Sequence, residues 1–267
     1  MKLAVIGSPI KHSLSPKIHS YFGDSLGLEI QYEAIEVNRD KFKESVIKLF
    51  ESGYVGLNVT LPLKDLAYSI SQNKTKLSQE TKTANTLWMK ENKIHCDSTD
   101  GPGLVGDFKR KNISLKGLNI ALIGAGGSAR AIAPSLLKEN PRRIILINRT
   151  KSKAEDLRNN LREGKEKISI FNNTQELEVS PEIIINSSSA GIKGEDLILP
   201  NNLFNKTKIS YDLSYSLVET SFNILAKEKG VPTIYDGKGM LLEQAALSFR
   251  LWTEREPSIP TEEEIFI

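Results

Sequence analysis

The stretch Leu118-Asn-Ile-Ala-Leu-Ile-Gly-Ala-Gly-Gly-Ser-Ala-Arg130 constrains the fold more than any other, because strand, glycine turn and helix start follow one another without interruption. Residues 120–123 form a short apolar run of the kind a parallel strand buried on both faces shows. Gly124, Gly126 and Ala129 then fit the spacing G-x-G-x-x-G/A. Gly124 permits the tight turn, Gly126 lets a pyrophosphate approach the backbone, and Ala129 lets the helix lie close on the strand. The helix expected over 127–138 aims its unpaired N–H groups and the positive end of its dipole at that phosphate. Taken alone, the pattern also fits a strand-turn-helix that binds nothing.

The next expected strand, 143–148, ends about 20 residues on, where the ribose of a dinucleotide lies in such folds. An Asp or Glu there suits a free 2′-hydroxyl, but this chain has Asn148-Arg-Thr150 followed by Lys151 and Lys153. A guanidinium grips a 2′-phosphate, with ammonium groups as further point charges, so the expected cofactor is NADP. The plain alternative is a solvated helix entrance capped by Thr150 or Ser152.

At 267 residues the chain is long enough for two domains, each with its own core. A net charge of +3 from 36 basic and 33 acidic residues argues against a nucleic-acid partner. Cys96 is the only cysteine, so no intrachain disulfide forms, which points to a reducing, cytoplasmic home; by itself it reads as a small buried hydrophobe. The run 3–6 is too short for a signal segment, and no run approaches a membrane span.

In chain order, residues 1–6 read as a strand, followed by a polar loop and a helix beginning at Pro16 behind a Ser cap. Strands are expected at 30–37 and 54–59, with a helix over 40–52 between them, and a hairpin at 86–90 and 93–96 around Glu91-Asn92. A helix follows Asp97-Ser-Thr-Asp-Gly101 and runs to about 111. From 118 the pattern alternates: strands 118–123, 143–148, 167–171, 182–186, 208–213 and 232–236, with helices 127–139, 151–163 and 217–229. That is a doubly wound parallel sheet, a Rossmann-like α/β unit, and the loops 186–191 and 211–215 fall at strand ends where ligands of such sheets bind. Residues 240–252 form an amphipathic helix, and the acidic stretch 254–264 reads as a solvated end.

The first domain offers polar groups at loops and strand ends: Ser13, Ser15, Asn58, Thr60, Lys64, Asn85 and Asp100. No His/Cys/Glu set has metal spacing, so no metal is expected. His12, His19 and His95 are scattered, each reading as a surface or packing residue. No Gly-x-Ser-x-Gly elbow supports a serine nucleophile. A hydride donor beside a hydroxyl substrate needs one group to move the hydroxyl proton, and Lys64 is the candidate. A free lysine titrates near ~10.4, and a paired Asp100 carboxylate favours its charged form, which suits a proton donor in carbonyl reduction.

Along nearly its whole length the chain resembles the shikimate dehydrogenase family. Gly7-Ser-Pro-Ile-Lys-His-Ser-Leu-Ser-Pro-Lys-Ile-His19 is similar to the family's N-terminal signature, and Asn58-Val-Thr-Leu-Pro-Leu-Lys64 to its lysine motif. Ala84-Asn-Thr86, Ser98-Thr-Asp-Gly101, Gly124-Ala-Gly-Gly-Ser128, Asn148-Arg-Thr150 and Asp236-Gly-Lys-Gly-Met-Leu241 follow in the family's order. The resemblance implies an oxidoreductase of the shikimate pathway of aromatic amino-acid biosynthesis, reversibly reducing 3-dehydroshikimate to shikimate with NADPH. It assigns Ser13 and Ser15 to the substrate carboxylate, and Thr60, Asn85, Asp100, Tyr215 and Gln244 to its hydroxyls or orientation. Lys64 becomes the acid/base group with Asp100 as partner. Gly124, Ala125, Gly126, Gly127, Ser128, Asn148, Arg149, Thr150 and Lys153 become the NADP site, with Leu213 and Gly237 at its nicotinamide end. It also implies that the last helix, carrying Gln244, returns to the first domain. The expected domains are therefore 1–101 with 238–267 for substrate and catalysis, and 102–237 for NADP.

The chain departs from the family pattern in places. Lys153 stands where Arg is frequent, giving up bidentate phosphate binding. Ser98 replaces a frequent Asn, Thr81-Lys82 sits where small residues are common, and Asn186-Ser-Ser-Ser189 varies an Asn-x-Thr-Ser pattern. The alternatives are a quinate/shikimate dehydrogenase with relaxed substrate or NAD use, and a non-catalytic dinucleotide sensor on the same fold. The expected partner is a small molecule, with neither nucleic acid nor membrane, and a homodimer is compatible with the reading.

Overall fold

A computed structural model describes all residues except 189–196, 217 and 267. The described chain divides into two compact units, Met1–Gly106 with Leu241–Ile267, and Asp107–Met240.

The first unit is built on a mixed sheet. Its strands are β1 (Lys2–Gly7), β2 (Gln31–Glu36), β3 (Tyr54–Val59), β4 (Asn73–Lys74), β5 (Thr86–Lys90) and β6 (Lys93–Asp97), in the order β2-β1-β3-β5-β6-β4. β1 runs parallel to β2 and β3, and β3, β5 and β6 are antiparallel to one another in turn. The β5–β6 hairpin turns through Glu91 and Asn92, both at positive φ, as a two-residue loop between right-twisted strands requires. The helices of this unit are α1 (Ser15–Leu26), α2 (Phe42–Glu51), α3 (Lys64–Ile70) and α4 (Lys76–Thr81). To these it adds the first part of α5 (Asp100–Arg110), most of α9 (Lys238–Thr253), and α10 (Glu262–Phe266). One apolar cluster joins Ala4, Ile6, Leu57 and Val59 of the strands to Phe42, Val46 and Ala67 of α2 and α3. Another joins Ile18 and Phe22 of α1 to Leu242, Ala245 and Phe249 of α9, so the last long helix does return to the first unit.

The second unit is a parallel sheet of β7 (Asn119–Ile123), β8 (Arg143–Ile147), β9 (Ile168–Phe171), β10 (Ile183–Asn186), β11 (Ile209–Asp212) and β12 (Thr233–Tyr235). Their order, β12-β11-β10-β7-β8-β9, reverses direction between β7 and β10, the switch point of a doubly wound fold. The helices α6 (Gly127–Lys138), α7 (Lys151–Asn160) and α8 (Ser221–Glu228) alternate with the strands. β7 is buried at every position, as a strand covered on both faces must be.

Several expectations change. α1 starts at Ser15, not Pro16; Leu14 is its cap residue with no side-chain bond, and Ser13 Oγ instead accepts the Ser15 N–H at 3.3 Å. The acidic stretch is not a solvated end, because α10 buries Ile265 against α1 and α9, and Lys17 donates to the Ile265 carbonyl at 2.6 Å. α8 begins at Ser221, with Thr220 as its cap. The chain passes between units inside α5 and α9, about five and three residues from the boundaries read in the sequence. The part of the 186–191 loop beyond 188, Ser189 included, lies outside the described residues.

Candidate active site

In the first unit, Lys64 opens α3 and Asp100 opens α5. Their ion pair, Nζ to Oδ2, measures 2.7 Å, with side chains only 13% and 8% exposed. An ammonium at a helix N-terminus sits at the positive end of the dipole, and the carboxylate offsets that cost. Asn85, immediately before β5, donates from Nδ2 toward Asp100 Oδ1 at 3.1 Å and Gln244 Oε1 at 2.9 Å. Its side-chain Oδ1 accepts the Thr99 N–H at 2.7 Å. Lys64, Asp100, Asn85 and Gln244 are therefore one connected group. Gln244 is brought close because Gly103 has no side chain; a Cβ there would lie 2.7 Å from Gln244 Cβ.

Thr60 leaves β3 with its N–H on the Ile6 carbonyl at 2.9 Å, and its carbonyl accepts the Leu63 N–H at 3.0 Å. A Cβ on Gly7 would meet Thr60 Cγ2 at 2.4 Å, so the β1 and β3 exits touch only because residue 7 is glycine. Ser13 lies on the loop that follows β1 and Ser15 at the start of α1, where Ser15 bonds the Tyr32 side chain, whose hydroxyl donates to Asn58 Oδ1 at 2.7 Å. Sequence reasoning passed over Thr86, Thr99 and Ser248, all buried and all bonded into this group. The four-residue step from Gln244 to Ser248, one helical face, is the signal that could have found the last.

In the second unit the glycine turn sits at the switch point. Gly124 adopts φ +98, and a Cβ there would press on Ser187 and Ser188 beyond β10. At Gly126 a Cβ would meet nothing within 4 Å, leaving the backbone open to a ligand. Gly126 caps α6 with no side-chain bond, so the first-turn N–H groups, from Gly127 and Ser128 onward, are not taken by a capping side chain. Asn148 acts as a clamp: its Oδ1 accepts the Ala125 N–H at 3.1 Å, and its Nδ2 donates to the Thr150 carbonyl at 2.7 Å. Arg149, Thr150 and Lys153 are exposed beside it, and Thr150 heads α7 without a side-chain cap bond. This is a fitting donor set for a dinucleotide with a 2′-phosphate: open backbone at the turn, cationic groups at the next strand end.

At the far strand ends, a Cβ on Gly237 would fall 2.2 Å from the Leu213 carbonyl, so these two segments are in contact. Tyr215 follows on the same loop, partly buried. The loop is anchored by Asp212, whose Oδ1 accepts from Asn186 Nδ2 and from the Ser214 N–H, both at 3.1 Å. Burial pushes the Asp212 carboxyl above the usual carboxylate range, against the pull of those hydrogen bonds.

Among the described residues no cluster of His, Cys, Asp and Glu could hold a metal, and no helix is long and apolar enough to cross a membrane.

Three family models match the chain. Residues 5–87 match the shikimate dehydrogenase substrate binding domain, 107–212 shikimate / quinate 5-dehydrogenase, and 237–261 the shikimate 5'-dehydrogenase C-terminal domain. Relatives named shikimate dehydrogenase (NADP(+)) from Hahella chejuensis and Legionella pneumophila are 38% and 40% identical, over 95% and 96% of this chain and 94% and 95% of theirs. An Ael1 enzyme from Pseudomonas putida superposes with a TM-score of 0.92 at 31% identity, over 100% of this chain and 98% of that one. The shikimate dehydrogenase of Thermus thermophilus in complex with NADP(H) and shikimate does so with a TM-score of 0.87 at 31% identity, over the same shares. With the motifs in order, both units accounted for and full-length relatives at this identity, the chain belongs to the shikimate dehydrogenase family.

Proposed function

We propose that the protein catalyses the reversible, NADPH-dependent reduction of 3-dehydroshikimate to shikimate, an oxidoreductase step of aromatic amino-acid biosynthesis. The observation that carries the assignment of roles is the buried Lys64–Asp100 ion pair joined to Asn85 and Gln244. NADPH, held at the glycine turn and by Arg149, Thr150 and Lys153, supplies the hydride. Lys64 gives a proton to the substrate's carbonyl oxygen as the carbon accepts that hydride, and takes it back from the hydroxyl in the reverse direction. Asp100 holds the Lys64 ammonium in place and accepts from a substrate hydroxyl. Asn85 and Gln244 offer an amide surface suited to vicinal hydroxyls, with Thr60 and Tyr215 as further partners, and Ser13 and Ser15 bind the carboxylate. Leu213 and Gly237 line the nicotinamide end.

A second reading, use of quinate, rests on the match of residues 107–212 to a family that spans both substrates. Absorbance at the reduced-nicotinamide band, with shikimate or quinate each paired with NADP or NAD, separates the readings. Turnover confined to shikimate with NADP is the expected result. Comparable quinate or NAD rates select the relaxed enzyme, and silence in all four from folded, NADP-binding protein overturns both. The proposal places the enzyme in the cytoplasm, supported by its single buried cysteine. It takes the working assembly to be a homodimer, which light scattering would refute by returning the mass of one chain.

A further inference from the structure

The orientation of the Asn85 amide matters to everything bonded to it. Its Nδ2 faces Asp100 and Gln244, and a flipped amide would set a carbonyl oxygen against two acceptors. The Thr99 peptide N–H holds Asn85 Oδ1 at 2.7 Å, and two hydroxyls flank the amide, those of Thr86 and Thr99, each 3.2 Å from Oδ1 and the second 2.8 Å from Nδ2. Both converge on Ser248 Oγ, at 2.7 and 3.1 Å. Ser248 is fully buried on α9, one turn beyond Gln244, and donates its proton to the Gln244 carbonyl at 3.0 Å. Its oxygen can then only accept. It takes Asn58 Nδ2 at 3.0 Å and draws the Thr86 hydroxyl proton toward itself. That leaves the Asn85 side-chain carbonyl to the peptide N–H of Thr99 at 2.7 Å, while the Thr99 hydroxyl accepts from Asn85 Nδ2 at 2.8 Å.

We infer that Ser248 is a positioning residue, whose hydroxyl fixes the proton pattern of this network and so holds the Asn85 amide toward Asp100 and Gln244. The inference rests on the function proposed above. Without the hydroxyl, Asn58 keeps a buried N–H with no acceptor at that position, and Thr86 and Thr99 lose the oxygen on which both converge. The side chains packed around the amide lose their common anchor, and the amide is held less firmly toward the two groups it serves.

The experiment compares Ser248→Ala, Ser248→Thr and the control Ser71→Ala, which removes another buried hydroxyl of the same unit, one that donates to the Ala67 carbonyl at 2.7 Å and lies beside Cys96, away from Asn85. Expected for Ser248→Ala is a loss of about tenfold in kcat/KM for shikimate, the scale of one buried hydrogen bond, with the NADP Kd unchanged. Ser248→Thr recovers most of it, and Ser71→Ala lowers Tm alone. Shikimate kinetics of folded Ser248→Ala within twofold of wild type, or an equal loss in Ser71→Ala, overturn the inference. The side-chain amide NMR signal of Asn85 supplies a readout without turnover: slow-exchanging in wild type, lost or shifted in Ser248→Ala, with no change overturning the inference. Should Ser248→Ala not fold, Thr86→Val, which removes the hydroxyl facing Ser248, is read by the same signal. Silence of wild-type protein with every substrate defeats the proposed function, and the NMR comparison still decides Ser248.

Discussion

Lys64 and Asp100 lie far apart in the chain and come together only because α3 and α5 begin at neighbouring places in the first unit. Lys64→Ala removes the group proposed to transfer the proton and leaves the glycine turn alone. Turnover should fall by at least about a hundredfold with NADP affinity unchanged. Rates within a few-fold of wild type, read beside an NADP titration, would take Lys64 out of the mechanism. His19 shows a different use of a polar residue. It is fully buried, stacked on Tyr32 at 4.2 Å between centroids, with Phe22, Phe249 and Trp252 around it. Neither ring nitrogen has a partner of good hydrogen-bond geometry, and burial lowers its pKa to about 3, against the upward pull of the Asn58 side chain beside it. Because the folded-state value lies below the unfolded one of about 6.5, the unfolded chain binds the extra proton between the two. Stability is therefore intact above about 6.5 and is lost as pH falls toward 3, by roughly 5 kcal/mol in all from this group. His19→Phe should flatten that part of the profile, measured as urea midpoints at pH 7 and pH 4.5; an unchanged slope would clear His19. The sequence placed the histidine inside a motif, yet its lack of any metal-spaced partner already favoured packing.

Elements differ in how far the sequence reveals them. β7, its glycine turn and α6 were legible because each rests on local rules: a run of apolar residues, small residues at fixed spacing, helix-forming residues after them. α3 and α4 were not, since helices of seven and six residues show too little periodicity to stand out from loops. Lys64 could thus be singled out as the candidate acid/base group while the helix that carries it could not. α10 was misread for another reason. Three consecutive glutamates dominate its composition, but the helix buries Ile265, only 2% exposed, and packs Phe266 against the same cluster. Its partners Ile18, Phe22 and Phe249 are distant in sequence, so no local pattern announces the contact. Ile265→Ala should cost about 2–4 kcal/mol, the usual range for truncating a buried aliphatic side chain. A denaturation midpoint that does not move would return this stretch to the solvated end its charge suggested. Ser248 belongs with this case, because its partners Asn58, Thr86 and Thr99 come from three other segments.

At the scale of the molecule, the sequence foretold two domains with the last long helix rejoining the first, and the structure divides the chain into two units of that composition. The boundaries differ because a sequence reader places them at motif ends, whereas the chain leaves each unit within a helix, α5 or α9, whose hydrogen bonds continue through the crossing. Each unit has its own sheet and its own apolar clusters, so each has the means to respond to its ligand separately. Binding at about 100 times Kd adds about 2.7 kcal/mol to the stability of the state that binds. If NADP is held at the glycine turn, that gain falls on the second unit. Hydrogen exchange with NADP alone should then slow the amides of residues 119–131 and 143–150, and leave 58–64 and 84–100 near their ligand-free rates. Shikimate alone should do the reverse, because the Lys64, Asn85 and Asp100 group lies wholly in the first unit. Protection of 58–64 by NADP as strong as that of the glycine turn would mean that α5 and α9 transmit binding between the units. In that event the helices that carry Asp100 and Gln244 would be a route by which cofactor binding alters the substrate group.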